Sequence, residues 1–82
     1  MDFPIEVELS YPLTIGDEKI AKLAIKRRPL TKDLRAMDQE KGEVAKSAAL
    51  LARLADVPVS WVDQMDASDF TRAAEIVGGF LG

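Results

Sequence analysis

The sequence predicts an α+β fold, an N-terminal antiparallel β-hairpin packed against a C-terminal bundle of about three short helices. Three observations predict it. Apolar residues alternate strictly from Ile5 to Ile15, a shorter apolar and basic stretch follows Gly16, and helical apolar spacing sets in after Pro29 and is interrupted at Gly42 and Pro58.

The hairpin comes first. Ile5, Val7, Leu9, Tyr11, Leu13 and Ile15 hold the odd positions, while Glu6, Glu8, Ser10, Pro12 and Thr14 fill the even ones. That period describes a strand with one buried and one wet face. Pro12 has no N–H to give a ladder, so the strand is an edge or bends there. Gly16-Asp17-Glu18 forms the turn, and the return strand buries Leu23 and Ile25 while exposing Lys22 and Lys26. Ile20 is out of phase with that pattern. Either the loop holds an odd number of residues or a bulge falls near Ala21, and Ile20 favours the bulge.

A lone hairpin is marginal in water and needs helices over its apolar face. Pro29 ends the second strand, and Thr31 suits an N-cap for a short helix through Leu34 and Met37. Glu40-Lys41-Gly42 breaks it. A second helix is predicted over 43–55, with Val44, Ala48, Leu51 and Ala55 on one stripe and Ala45, Ala49 and Ala52 beside it. Asp56-Val57-Pro58 stops that helix. Ser60 with Asp63 resembles a capping box for one turn carrying Trp61, Val62 and Met65. Asp66 caps the last helix, Asp69 occupies its third position, and Phe70, Ala74, Val77 and Leu81 share a face beside Ala73, Ile76 and Phe80. The expected organisation is one domain over 1–82, with the hairpin in 3–27 and the helical part in 31–82.

Composition limits what such a chain can do. At 82 residues it buries only about 60% of its unfolded surface. There is no Cys to staple a core in which 48% of residues are apolar but few are aromatic. Modest stability and self-association are expected from this thin core, aided by two strand edges, the alanine-rich side of 43–55 and Phe80-Leu81. Met1-Asp2-Phe3-Pro4 does not open like a signal peptide, and no apolar run is long enough for a membrane span, so a cytoplasmic location is expected.

Net charge is −3 and segregated. Five acids and no base precede Lys19, whereas Lys19 to Arg35 holds seven bases against Asp33 alone. Pairing of the acidic first strand with the basic second one accounts for this better than a nucleic-acid footprint, since the pI is about 4.8.

Catalytic equipment is missing. Without His or Cys there is no acyl-transfer triad, thiol nucleophile or zinc site, and Gly78-Gly79 is not placed as a phosphate loop. Asp63, Asp66 and Asp69 are spaced three apart, which fits no calcium loop, and two of them serve as a cap and a helix-dipole partner. Glu6 and Glu8 share a solvated strand face with nothing to split their acidities. No catalytic residue, metal site or cofactor is expected. What remains is binding surface. Trp61, Val62, Met65 and Phe70 gather at a helix-to-helix corner, and Phe80-Leu81 closes the chain. Core packing explains most such residues, but Trp61, just after a cap on one exposed turn, equally suits the rim of a groove. Trp61, Val62, Met65, Phe80 and Leu81 are therefore the candidate protein-binding residues.

Several segments also carry a family resemblance. They are Ile5–Ile15 with Ser10-Tyr11-Pro12-Leu13 at its centre, Leu23-Ala24-Ile25-Lys26-Arg27-Arg28-Pro29, and Thr31-Lys32-Asp33-Leu34. Ala49-Leu50-Leu51-Ala52-Arg53-Leu54, Val57-Pro58 and Gly79-Phe80-Leu81-Gly82 complete the set. In order and spacing the chain resembles the tail assembly chaperones of Mu-like contractile-tailed bacteriophages, with a slightly longer turn. The resemblance implies a small non-enzymatic protein of tail morphogenesis. Such a protein coats the tape-measure protein, keeps it soluble, helps tail-tube subunits assemble around it, and is absent from the finished particle. It supplies no catalytic residues and no mapped binding residues to transfer. Two other readings stay open: a small nucleic-acid-binding regulator using Lys26, Arg27, Arg28, Lys32 and Arg35 of segment 19–35, and a structural tail or scaffold subunit.

Overall fold

In the structure, a computed structural model in which residues 2–81 are described, two strands precede four helices. They are β1 (Ile5–Ile15), β2 (Glu18–Ile25), α1 (Thr31–Met37), α2 (Glu43–Ala55), α3 (Val59–Asp63) and α4 (Ala67–Gly79). The predicted α+β class and element order hold.

The strands form an antiparallel two-stranded sheet joined by Gly16-Asp17, with Gly16 at φ +62°. Glycine enters that region without a Cβ clash. The turn is one residue shorter than expected, because Glu18 already pairs with Ile15. The register change falls opposite Ala21, as Ile20 suggested, but on the other strand. Leu13 pairs with Ile20 and Glu8 with Lys22, so Leu9 to Pro12 face Ala21 alone. The three extra residues flip the parity of pairing, which lets Ile20, Leu23 and Ile25 all turn toward the helices. One predicted core residue is lost by this. Tyr11, at the irregular stretch, is 62% exposed, whereas Val7, Leu9 and Leu13 are buried.

The cap of α1 lies one residue earlier than expected. Leu30 is the N-cap and Thr31 the first helical residue. The Asp33 carboxylate, at the third helical position, accepts the Leu30 N–H at 2.7 Å and does the capping from inside. α2 begins after Gly42 at φ +91° and ends at Asp56, which adopts the left-handed conformation at φ 57°. Aspartate tolerates that region better than most non-glycine residues, and the turn returns the Asp56 and Val57 N–H groups to the last carbonyls of the helix. A further orphan carbonyl, that of Leu54, accepts the Lys26 N–H at 2.8 Å, tying the end of β2 to α2.

α2 is the central element, packed against α1, α3, α4 and β2, while α4 lies on β1. Its Leu50, Leu51, Leu54 and Ala55 are almost wholly enclosed. The predicted stripe holds at Ala48, Leu51 and Ala55 but fails at Val44, 71% exposed, because Val44 lies in the first turn where nothing covers it. α3 starts at Val59 behind Pro58 rather than at a Ser60 cap, since proline's fixed φ suits a helix entry. Asp66 does cap α4, accepting the Ser68 N–H at 3.0 Å, and Asp69, Ala73 and Val77 form its inner face. Leu81 lies past the helix end and is half exposed.

Candidate partner-binding surface

Two buried carboxylates set the shape of the surface. Asp33 is fully enclosed and joins three segments. Its oxygens accept from Arg27 Nη1 and Nη2 at 2.7 and 3.1 Å, from Arg53 Nε at 2.8 Å, and from the Leu30 N–H. Hydrogen bonding from Arg27 outweighs burial and, with Leu30 and Arg53, holds the Asp33 carboxyl well below the usual carboxylate range. The end of β2, the start of α1 and the last turns of α2 are locked together by this one side chain.

Asp69 performs the same service between α4 and β1. It is fully enclosed and accepts the N–H groups of Ser10 and Tyr11, each at 3.0 Å, and a hydrogen bond from Arg72. Burial alone would raise this carboxyl, but the two backbone donors and the Arg72 guanidinium prevail and lower it. Arg72 also donates to the Glu8 carbonyl at 2.9 Å. The pair thus replaces the ladder bonds that the register change removes from β1, and Pro12 needs no replacement because it has no N–H.

With those elements fixed, several apolar side chains remain outside. Tyr11, Leu30, Val44, Val59 and Leu81 are 48–71% exposed, and Leu34 is 41% exposed. Two of them, Val59 and Val44, each line a shallow concavity. A groove of about 420 Å³ runs between the end of α1 and α2, floored by Ala36, Ala49, Ala52 and Val57. A notch of about 190 Å³ is lined by Val44, Ala48, Val62, Asp63, Met65, Ala67 and Phe70.

The predicted binding residues divide between core and surface. Val62 and Met65 are buried, at 4% and 8% exposure, and reach outward only as the floor of the notch. Trp61 is half-buried against the core. Phe80 is half-buried with its ring 5.7 Å from that of Phe3 and under the Arg28 guanidinium at 5.4 Å; Leu81 beside it is exposed. The notch thus brings Val62 and Met65 together, and Phe80-Leu81 lies outside it.

The segregated charges are partly spent on structure. Arg27 serves Asp33, Lys22 lies 3.9 Å from Glu6, and Lys26 lies 4.0 Å from Asp56. Asp63, Asp66 and Asp69 do not converge, since Asp66 binds its own helix start and Asp69 turns to β1, and the described residues hold no acidic or His/Cys group arranged for a metal ion.

Over residues 6–82 the sequence matches the family described as phage tail assembly chaperone proteins, E, or 41 or 14. The chain belongs to that family. No curated protein and no solved structure gives a significant match. Membership assigns the chaperone to tail assembly and points to association with tail proteins rather than to catalysis. Its buried acids, which resemble site residues by enclosure and shifted acidity, are each fully engaged in holding the fold. The sequence signal for them was thin. Both stand at the third position of a helix, where an acid is explained by the helix start alone.

Proposed function

We propose that this chaperone binds the tape-measure protein in the cytoplasm of the bacterial host, keeps it soluble, promotes tail-tube assembly around it, and is released before the particle is complete. The reading rests on the family match across residues 6–82. The exposed apolar side chains beside shallow concavities support it, because an extended helical client with one apolar face can be held by a groove of that kind. Trp61, Leu81 and Phe80 are the proposed contacts on the outside, with Val62 and Met65 reached through the notch; the tail-tube protein is the proposed second partner.

Co-expression tests this. The cognate tape-measure protein should stay soluble with the chaperone and precipitate without it, and equal precipitation in both cases refutes the reading. Trp61→Ala should weaken binding roughly 30-fold, the equivalent of about 2 kcal/mol for an interface anchor. Unchanged affinity with a lowered melting temperature instead assigns Trp61 to the core.

A further inference from the structure

One hydrogen bond shows which backbone groups of β1 face away from β2. Arg72 of α4 donates to the Glu8 carbonyl, so that carbonyl points outward from the ladder. Pairing is regular from Ile5 to Glu8, and alternate residues of an antiparallel strand turn their backbone groups the same way. The Glu8 N–H and both the N–H and carbonyl of Glu6 therefore share that outward direction. Among the described residues no loop, helix or side chain pairs with these three groups. A strand edge left open in this way is a template for a further strand.

A groove of about 450 Å³ runs beside that edge. Glu6, Val7 and Glu8 line one wall, and Arg72, Glu75 and Ile76 of α4 line the other. Successive side chains of a strand point to opposite faces, so three consecutive residues border one groove only along the edge. Charge selects what the groove takes. Glu6, Glu8 and Glu75 are exposed, and neither Glu8 nor Glu75 has an ion-pair partner among the described residues. Glu6 lies 3.9 Å from Lys22, but both side chains are more than half exposed and such a pair contributes little. Arg72, the one cation lining the groove, is committed to Asp69 and the Glu8 carbonyl. Between the acids, buried Val7 and half-buried Ile76 supply an apolar strip.

We propose that this edge takes an extended basic segment of a partner protein as a third strand beside β1. The segment's backbone pairs with both groups of Glu6 and with the Glu8 N–H, and pairing ends there because Arg72 holds the Glu8 carbonyl. Its basic side chains lie beside Glu6 and Glu8, with Glu75 across the groove, and the apolar residue between them packs toward Val7 and Ile76. Opposite charges directly across a strand pair favour that register. The recognised pattern is thus basic, apolar, basic, over about 10 Å at roughly 3.3 Å per residue. The proposal does not rest on the tape-measure reading.

The probe is a short fluorescent peptide in which lysine alternates with valine, added to the full chain. Fluorescence anisotropy should show saturable binding that weakens in about 1 M salt, where charges are screened beyond roughly 3 Å. A second peptide, N-methylated on alternate residues along the edge that would meet β1, should bind at least about tenfold more weakly, since it cannot complete the ladder. In the wild-type chain the Glu6 amide should exchange with solvent at least about tenfold more slowly once the lysine peptide is bound. Glu8→Lys with Glu75→Lys, both outside the Asp33 and Asp69 networks, should weaken the lysine peptide at least about tenfold and admit a glutamate–valine peptide instead, with an unchanged circular dichroism spectrum. No binding of the lysine peptide overturns the proposal. Equal binding of the N-methylated peptide, or an unchanged Glu6 amide, overturns it by assigning the binding to general attraction between charges. Protection of the Glu6 amide that grows with protein concentration in the absence of peptide overturns it by giving the edge to a second copy of the chain.

Discussion

Replacing Asp33 by Asn keeps the shape of the side chain and removes its charge at the point where β2, α1 and α2 meet. The wild-type carboxylate receives three hydrogen bonds from two guanidinium groups and one from the Leu30 N–H. An amide retains one oxygen to accept, and its NH₂ must face a donor. Breaking a buried ion pair by altering one partner costs about 3–5 kcal/mol when the other charge is stranded. Here the Arg27 and Arg53 side chains are 39% and 40% exposed and can regain water, so a cost of about 2–3 kcal/mol is expected. For 82 residues the total stability is about 4–12 kcal/mol, of which this is a large share. At about 4–8 °C per kcal/mol for a domain of this size, the melting temperature should fall by roughly 10–20 °C at pH 7. Thermal unfolding followed by circular dichroism measures it. A drop below about 3 °C would show that the enclosed carboxylate is not what locks the three segments together.

Asp69→Asn should loosen β1 locally. The Ser10 and Tyr11 amides should exchange with solvent at least about tenfold faster by hydrogen-exchange NMR, and unchanged protection would mean that some other acceptor holds them. Acid should destabilise the fold through both carboxylates. Each has a folded-state pKa below its unfolded value of about 3.9, so the stability it contributes is fully present above about pH 5 and is lost as pH falls below about 4. Urea midpoints measured from pH 7 to pH 2 should therefore stay level and then drop, with a smaller drop in Asp33→Asn; a steady decline starting at pH 6 would contradict the assignment.

The strands and helices were legible in the chain because their signals are local. Alternation marked β1, Gly42 and Asp56-Val57-Pro58 bounded α2, and Asp66 announced α4, each through an interaction within a few residues. Errors at Thr31 and Ser60 were single-residue shifts of the same local kind, since any hydroxyl near a helix start looks like a cap. Ile20 disclosed a break in register without saying which strand carried it, because parity counts residues and not their side of the ladder. Family membership was likewise readable in the order and spacing of short segments, since it is a property of sequence.

The tertiary structure alone decided what Asp33, Asp69, Tyr11 and Val44 do. Asp69 and the amides it holds are 58 and 59 residues apart, and Asp33 reaches Arg53 across 20. Nothing local distinguishes an acid that caps its own helix from one that also takes up the donors of a distant strand. Tyr11 looked like core by alternation and became surface because Asp69 captures the backbone beside it. Val44 lay on the apolar stripe and stayed outside because the α3–α4 corner stops short of the first turn of α2. Burial depends on which elements arrive from elsewhere in the chain, and periodicity reports only the face that waits for them.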